Sequence, residues 1–141
     1  MIEQTLLLIK PDAVAAGNVG RIITTIEDND FSILAARVFR FDQKLSEVFY
    51  RDHLGKEFYA RLEAFMCSGL TWALVLQKEN AVHEMRELLG DVIPEQRKDG
   101  SIRAMYGHGI TDNGAHGSDS VQSAEREIGV IFGPVSSAGP E

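Results

Sequence analysis

Residues Thr5 to Ile9 form a short, continuous apolar run that stops at Lys10-Pro11-Asp12. A run without polar alternation has no face to give to water. It reads as a buried, central strand ended by proline, which lacks the N–H that a strand ladder needs. The rest of the chain must therefore supply what covers that strand. Val19, Ile22, Ile23 and Ile26 keep helical spacing up to Asn29-Asp30. Phe31 to Phe41, rich in β-branched and aromatic residues, predicts a second strand. Leu45 to Leu54 and Phe58 to Cys67 predict a pair of helices forming a hairpin, with Leu62, Phe65 and Met66 on the apolar face of the second.

Thr71 to Leu76 predicts a third strand, and Val82, Met85, Leu88 and Leu89 mark a helix closed by Gly90. Asp91 to Asn113 carries Pro94, Gly100, Gly107 and Gly109 without sustained periodicity, and is expected to be a long functional loop. A short fourth strand is expected around Ala115 to Ser118. A helix follows, opened by Asp119 with Gln122 at capping-box spacing and continued by Val121, Ala124, Ile128 and Ile131. Two strand-helix-strand units interleaved in this order predict an α+β fold. The expected form is a ferredoxin-like split βαβ sandwich, a four-stranded antiparallel sheet covered by helices. The whole chain, 1–141, reads as one domain without internal repeats, ending in a Pro-, Gly- and Ser-rich surface tail over 133–141.

With 44% apolar residues, a chain of 141 has enough material for a core. Its net charge of −7 disfavours binding through a phosphate backbone, so nucleic acid is not expected as the primary ligand. The single cysteine, Cys67, can form neither an intrachain disulfide nor a structural zinc site, and fits a reducing compartment. The N-terminus lacks the basic start and long apolar stretch of a signal peptide, and no run is long enough to span a bilayer. A soluble, cytoplasmic protein without a membrane partner is expected.

The densest chemical signal is Asn113-Gly114-Ala115-His116-Gly117-Ser118-Asp119-Ser120. It puts one imidazole between glycines just ahead of a helix start. Glycines there remove bulk and allow a large ligand to approach closely. An uncrowded imidazole at a strand-to-helix junction suits a nucleophile or a general base. A lone histidine is more often a surface or core group, and His53, His83 and His108 have less to recommend them. His83 falls in a helical pattern and is expected in solvent. Lys10, Lys56, Arg86 and Arg103 occupy irregular or terminal positions where they could meet phosphate oxygens, although each alone reads as a solvated surface group. The glycine-rich nucleotide fingerprints are missing: there is no GxxxxGK[ST], and Gly107-His108-Gly109 is followed by Asp112 where a third glycine belongs.

Lys10-Pro11-Asp12 followed by Gly20, and His116-Gly117-Ser118-Asp119-Ser120 with Ala124-Glu125 and Glu127-Ile128-Gly129, resemble nucleoside diphosphate kinase. The similarity runs from about Thr5 to Phe132 and takes in Tyr50, Phe58, Ser68-Gly69, Leu89-Gly90 and Ile102-Arg103 in the family's order. The resemblance implies transfer of the terminal phosphoryl group from a nucleoside triphosphate, typically ATP, to a nucleoside diphosphate. The implied route is a ping-pong cycle through a phosphohistidine on His116, which maintains nucleotide pools. It implies Glu127 as the carboxylate that orients the imidazole, with Tyr50 and Ser118 as polar neighbours. It implies Lys10, Arg86 and Arg103 as phosphate-binding cations, Asn113 and Lys10 at the sugar, and Phe58 and Ile110 on either side of the base. Stacking of that kind tolerates any base. Mg²⁺ is implied as cofactor, held mainly through the nucleotide phosphates, with Asp52 as a possible acidic neighbour. A dimer-based homo-oligomer is implied, with a tetramer favoured.

The chain departs from the family pattern in three places. Val92 stands where the family commonly has a threonine that donates to phosphate, Lys56 replaces a frequent arginine, and Asp112 occupies a position where many relatives carry a base. These changes bear on efficiency more than on reaction type. Two other readings fit the same fold, a regulatory protein with weak catalysis and a phosphocarrier that passes phosphate from His116 to another protein. Intact Lys10, Arg86, Arg103, Asn113, His116 and Glu127 argue for the enzyme.

Overall fold

The computed structural model describes residues 1–133. The tail expected over 133–141 lies outside the described residues except for Gly133. Strand β1 (Ile2–Ile9) is central, as its composition requires. Lys10 then makes the turn into a short helix α1 (Pro11–Ala15), and α2 (Val19–Asp28) leads to strand β2 (Ser32–Arg40). Helices α3 (Gln43–Phe49) and α4 (Tyr59–Met66) precede β3 (Leu70–Glu79), and α5 (Ala81–Leu89) follows it. Helix α6 (Ile102–Tyr106), the three-residue strand β4 (Ala115–Gly117) and helix α7 (Val121–Phe132) complete the order. The strands lie β2-β3-β1-β4, and every neighbouring pair is antiparallel. This is the expected four-stranded ferredoxin-like sheet.

Helices cover both faces. Leu7 and Ile9 pack on one side with Ile22 and Ile26 of α2 and Met85 and Leu89 of α5. Leu6 and Leu8 pack on the other with Phe49, Met66, Ile128 and Ile131. That double cover is why β1 shows no polar alternation. Each such side chain, fully buried, contributes about 1.5–3 kcal/mol of transfer free energy.

Four local expectations need correction. Pro11 does not simply end the strand: it sits at the first turn of α1, where its missing N–H is no loss. The segment 91–113 is not irregular throughout, since it holds a single 3₁₀ turn at Pro94–Gln96 and the helix α6, capped by Ser101, whose hydroxyl accepts from the Ala104 amide. Arg103 therefore stands on a helix, not in a loop. Helix α7 is capped by Ser120 rather than Asp119: the Ser120 hydroxyl accepts from the Ser123 amide at 3.0 Å. Helix α3 is shorter than expected, and Arg51–His53 continues it only as a 3₁₀ turn. No helix among the described residues is long and apolar enough to cross a membrane.

Candidate active site

Strand alternation decides where His116 points. In β4, His116 pairs with Leu8 of β1, and Ala115 with Ile9. Ala115 belongs to the α2/α5 side of the sheet, so His116 faces the α3/α7 side, with its ring 5.6 Å from that of Phe49 and 6.5 Å from that of Tyr50. Gly117 packs closely on α5: a Cβ there would lie 3.2 Å from Leu89 Cδ2 and 3.4 Å from Met85 Cγ. Gly114, just before the strand, holds φ +89, a region that favours glycine.

The imidazole meets a carboxylate. His116 Nε2 lies 3.2 Å from Glu127 Oε1, and the Ser118 hydroxyl donates to that same oxygen at 2.8 Å. Ser118 Oγ in turn accepts from the Leu6 amide at 3.4 Å, which ties the group to the central strand. Burial pushes the Glu127 carboxyl up, but the hydrogen bond and charge of His116, the Ser118 hydroxyl and nearby Arg126 outweigh it, so the carboxyl is held below the usual range. Arg126 also donates to the carbonyls of Val48 and Phe49, at 3.2 and 2.8 Å, and thereby fixes the end of α3 from which Tyr50 hangs. The Tyr50 hydroxyl is buried without a partner, and burial, then the charge of Glu127, raise its pKa.

Two cations are buried next to β4. Lys10 is only 6% exposed; its Nζ donates to the Thr111 carbonyl at 3.3 Å. Burial, followed by the nearby Arg103 charge, pulls its pKa down to about 8, against the opposing pull of Asp12 and Asp112. Arg103 donates to the Ala115 carbonyl through Nε (3.3 Å) and a terminal nitrogen (3.1 Å), and to the Gly90 carbonyl at 3.0 Å. Its pKa falls to about 10 through burial and the charges of Arg86 and Arg97. Neither residue is the solvated surface group that each suggests alone.

A cleft of about 340 Å³ opens beside Arg103, lined by Arg86, Val92, Lys98 and Arg103 among others. It brings together two of the expected phosphate cations and Val92. Asn113 is buried; its amide donates to the Ile110 carbonyl at 2.8 Å, and its Oδ1 has no partner. Ile110, at 63% exposed, and Phe58, at 43%, present apolar surface to solvent. Asp52 stands apart, exposed and 4.0 Å from Arg51 Nε. Lys56 is exposed, and His83 is in solvent as expected. His53, given little weight from the sequence, stacks on Tyr50 at 6.0 Å and meets Phe58 edge-on at 5.3 Å. No group of three His, Cys, Asp or Glu side chains among the described residues is placed to hold a metal ion.

An imidazole oriented by a carboxylate, with buried positive charge beside the same strand, is suited to attack on an anionic electrophile. The family profile described as nucleoside diphosphate kinase matches residues 3–136. The chain belongs to the nucleoside diphosphate kinase family. It is thus an enzyme, a phosphotransferase that moves a phosphoryl group between nucleoside triphosphates and nucleoside diphosphates. A nucleoside diphosphate kinase of Actinobacillus pleuropneumoniae serotype 3 is 48% identical over 134 residues, covering 95% of this chain and 97% of that protein. One of Glaesserella parasuis serovar 5 is 45% identical over the same shares of each chain. The crystal structure of the Aquifex aeolicus nucleoside diphosphate kinase superposes with a TM-score of 0.91 at 36% identity, covering 96% of this chain and 98% of that one. That of Encephalitozoon cuniculi gives 0.90 at 32% identity, covering 93% and 89%.

Proposed function

We propose that this member of the nucleoside diphosphate kinase family works by a ping-pong cycle through a phosphohistidine on His116. The observation that carries the reading is the chain Ser118–Glu127–His116, on a strand whose Ala115 carbonyl is held by the buried Arg103, with Lys10 buried at the end of the neighbouring strand. With Nε2 against Glu127, Nδ1 is the nitrogen left to attack. Its lone pair forms the P–N bond to the terminal phosphorus. The bond from that phosphorus to the bridging oxygen breaks, and the nucleoside diphosphate leaves with those electrons. In the second half, a β-phosphate oxygen of another diphosphate attacks, and the P–N electrons return to the ring. Glu127 holds the Nε2 proton, fixes the tautomer and offsets the charge the ring gains. Tyr50 and Ser118 hold the imidazole and its carboxylate in place.

Lys10, Arg86 and Arg103 meet the polyphosphate, whose transfer depends on in-line placement and charge stabilisation. Val92 lines the same wall without a hydroxyl to offer. The sugar lies at Asn113 and Lys10: the unpartnered Asn113 Oδ1 is an acceptor awaiting a hydroxyl. Phe58 and Ile110 enclose the base through apolar surface, so all bases and both sugars are substrates, and the role is upkeep of nucleotide pools in the cytoplasm. Mg²⁺ suits this site when carried on the phosphates, because the described residues offer no cluster of ligands of their own. Bound there, it would lower the negative charge of the phosphates; Asp52, which stands exposed beside Arg51, is the acidic neighbour the resemblance assigns to it.

The chain acts as one domain within a dimer-based assembly, with a tetramer as two such dimers. Supporting this, β2 is an edge strand with exposed Leu34 and Val38, and an open apolar edge invites pairing with a second copy. The decisive experiment is incubation with γ-labelled ATP and Mg²⁺, followed by a chase with unlabelled diphosphates. An acid-labile label on His116 that discharges to any diphosphate is the expected result, with none in His116→Ala. A protein that never labels is a binding module; one that labels but ignores diphosphates is a phosphocarrier.

A further inference from the structure

Arg97 has no counterpart among the residues to which the family reading gives a role, yet it makes more hydrogen bonds than any of them. Its Nε donates to the Asp91 carbonyl at 2.9 Å, and one terminal nitrogen donates to the carbonyls of Val92 (2.9 Å) and Gly109 (2.7 Å). The other reaches the carbonyls of Arg103 and His108, both at 3.4 Å. Five main-chain oxygens thus converge on one planar fork, which offers five N–H donors in fixed directions. Four of those oxygens come from two separate segments, and the fifth, from Arg103, belongs to α6. Asp91 and Val92 form the wall of the phosphate cleft, while His108 and Gly109 form the stem that carries Ile110.

Each segment is organised internally. Asp91 Oδ1 accepts from the Ile93 amide at 2.9 Å, and Asp112 Oδ1 accepts from the Gly109 amide at 2.9 Å. Among the described residues, however, neither aspartate reaches the other stretch, and no hydrogen bond joins 91–96 directly to 107–110. The Arg97 side chain, reaching in from outside both, donates to each, and Arg103 adds a second tie between the adjoining Gly90 carbonyl and the Gly107 amide.

We propose that Arg97 is a positioning residue for the nucleotide, a strut that sets the distance between the phosphate wall at Val92 and the base wall at Ile110. The proposal rests on the nucleotide-binding reading given above. A nucleotide spans both walls, so its binding depends on their spacing. A phosphoryl donor without base or sugar touches only the phosphate side and does not depend on it. Lysine cannot replace the fork, because an ammonium is a compact point charge that cannot meet five carbonyls arranged around a plane.

The test uses Arg97→Lys and Arg97→Ala with two donors of the His116 phosphoryl group: ATP, and phosphoramidate, whose P–N bond to ammonia breaks as the His116 bond forms. KM for ATP and for the acceptor diphosphate is expected to rise about tenfold in both variants, with kcat within about twofold, as expected when misplacement weakens substrate positioning. Labelling by phosphoramidate is expected at the wild-type rate, which also reports that the variants are folded. A wild-type KM in Arg97→Lys overturns the proposal, because charge alone would then suffice. A parallel loss of labelling by both donors in Arg97→Lys overturns it too, by showing general damage to the fold. If wild-type protein takes label from neither donor, the phosphohistidine reading itself fails and the proposal falls with it, a result distinct from the other two.

Discussion

His116 Nε2 and Glu127 Oε1 stand 3.2 Å apart across the junction between β4 and α7, and the Ser118 hydroxyl shares the same carboxylate oxygen. Two elements separated by one tight turn thus hold the imidazole by one nitrogen, and in the proposed cycle the other attacks phosphorus. Removing a hydrogen bond to a charged group costs about 1.5–3 kcal/mol, which corresponds to about 10- to 100-fold in rate. Glu127→Ala is expected to slow phosphorylation of His116 by that much, and Glu127→Gln, which keeps an acceptor but no charge, by less. Rapid-quench measurement of the acid-labile phosphate checks both. Labelling of Glu127→Ala at the wild-type rate would remove the carboxylate from the mechanism.

The buried Lys10 predicts the pH profile. Its pKa of about 8 in the folded protein lies below the free value of 10.5. Between those two values the unfolded chain binds more protons than the folded one, so this residue's contribution to stability rises with pH across that window. Phosphate binding has the opposite sign, because it needs the ammonium. The value of kcat/KM, which reports the free enzyme, is expected to fall as pH climbs through about 8. Asp112 raises the Lys10 pKa, and its carboxylate oxygen also accepts from the Gly109 amide. Asp112→Asn removes the charge but keeps an acceptor, so the alkaline fall is expected at lower pH. An unmoved profile in that variant would mean that Lys10 is not the group being titrated.

The central strand could be read from the sequence because every residue from Thr5 to Ile9 is buried between two layers, and such a strand has no polar face to blur the signal. The glycine-flanked histidine was equally visible, although Gly117 turned out to serve packing on α5. Glu127 was harder, yet its signal was present: Ala124, Glu127, Ile128 and Ile131 fall at helical intervals on one face, and Glu127 is the single polar residue in that buried stripe. Taken alone it reads as a solvated helix position, because a buried carboxylate makes sense only with its partners, and His116 and Ser118 lie on a different element. Helix α6 was hidden because five residues give too little periodicity to stand out from the Pro- and Gly-marked segments around it. Arg97 left no trace at all, since its partners are main-chain carbonyls and those have no side-chain code.

Gly90 tests how the cations are supported. Its φ of +88 and ψ of 175 lie in a region almost closed to other residues. Its carbonyl accepts from Arg103, and an added Cβ would lie 2.4 Å from the Ser101 Oγ that caps α6. Gly90→Ala therefore combines backbone strain with displacement of the cap and is expected to cost about 1–3 kcal/mol. Urea unfolding should show a lower midpoint with an unchanged slope. An unchanged midpoint would mean that the Gly90–Ser101 contact relaxes freely.

Val92 offers the reverse experiment, a gain. It is 38% exposed in the wall of the cleft beside Arg86 and Arg103, and Arg97 holds its carbonyl at 2.9 Å, which anchors the backbone there. Threonine has nearly the same shape and brings a hydroxyl that can donate to a phosphate oxygen. Because the position is partly open to water, little desolvation offsets the new bond. One added hydrogen bond contributes about 1 kcal/mol, equivalent to about fivefold in affinity. Val92→Thr is expected to raise kcat/KM for nucleotide donors by that factor. Direct calorimetric titration with a diphosphate separates binding from turnover. Unchanged or lower affinity would show that the phosphates do not pass within reach of residue 92.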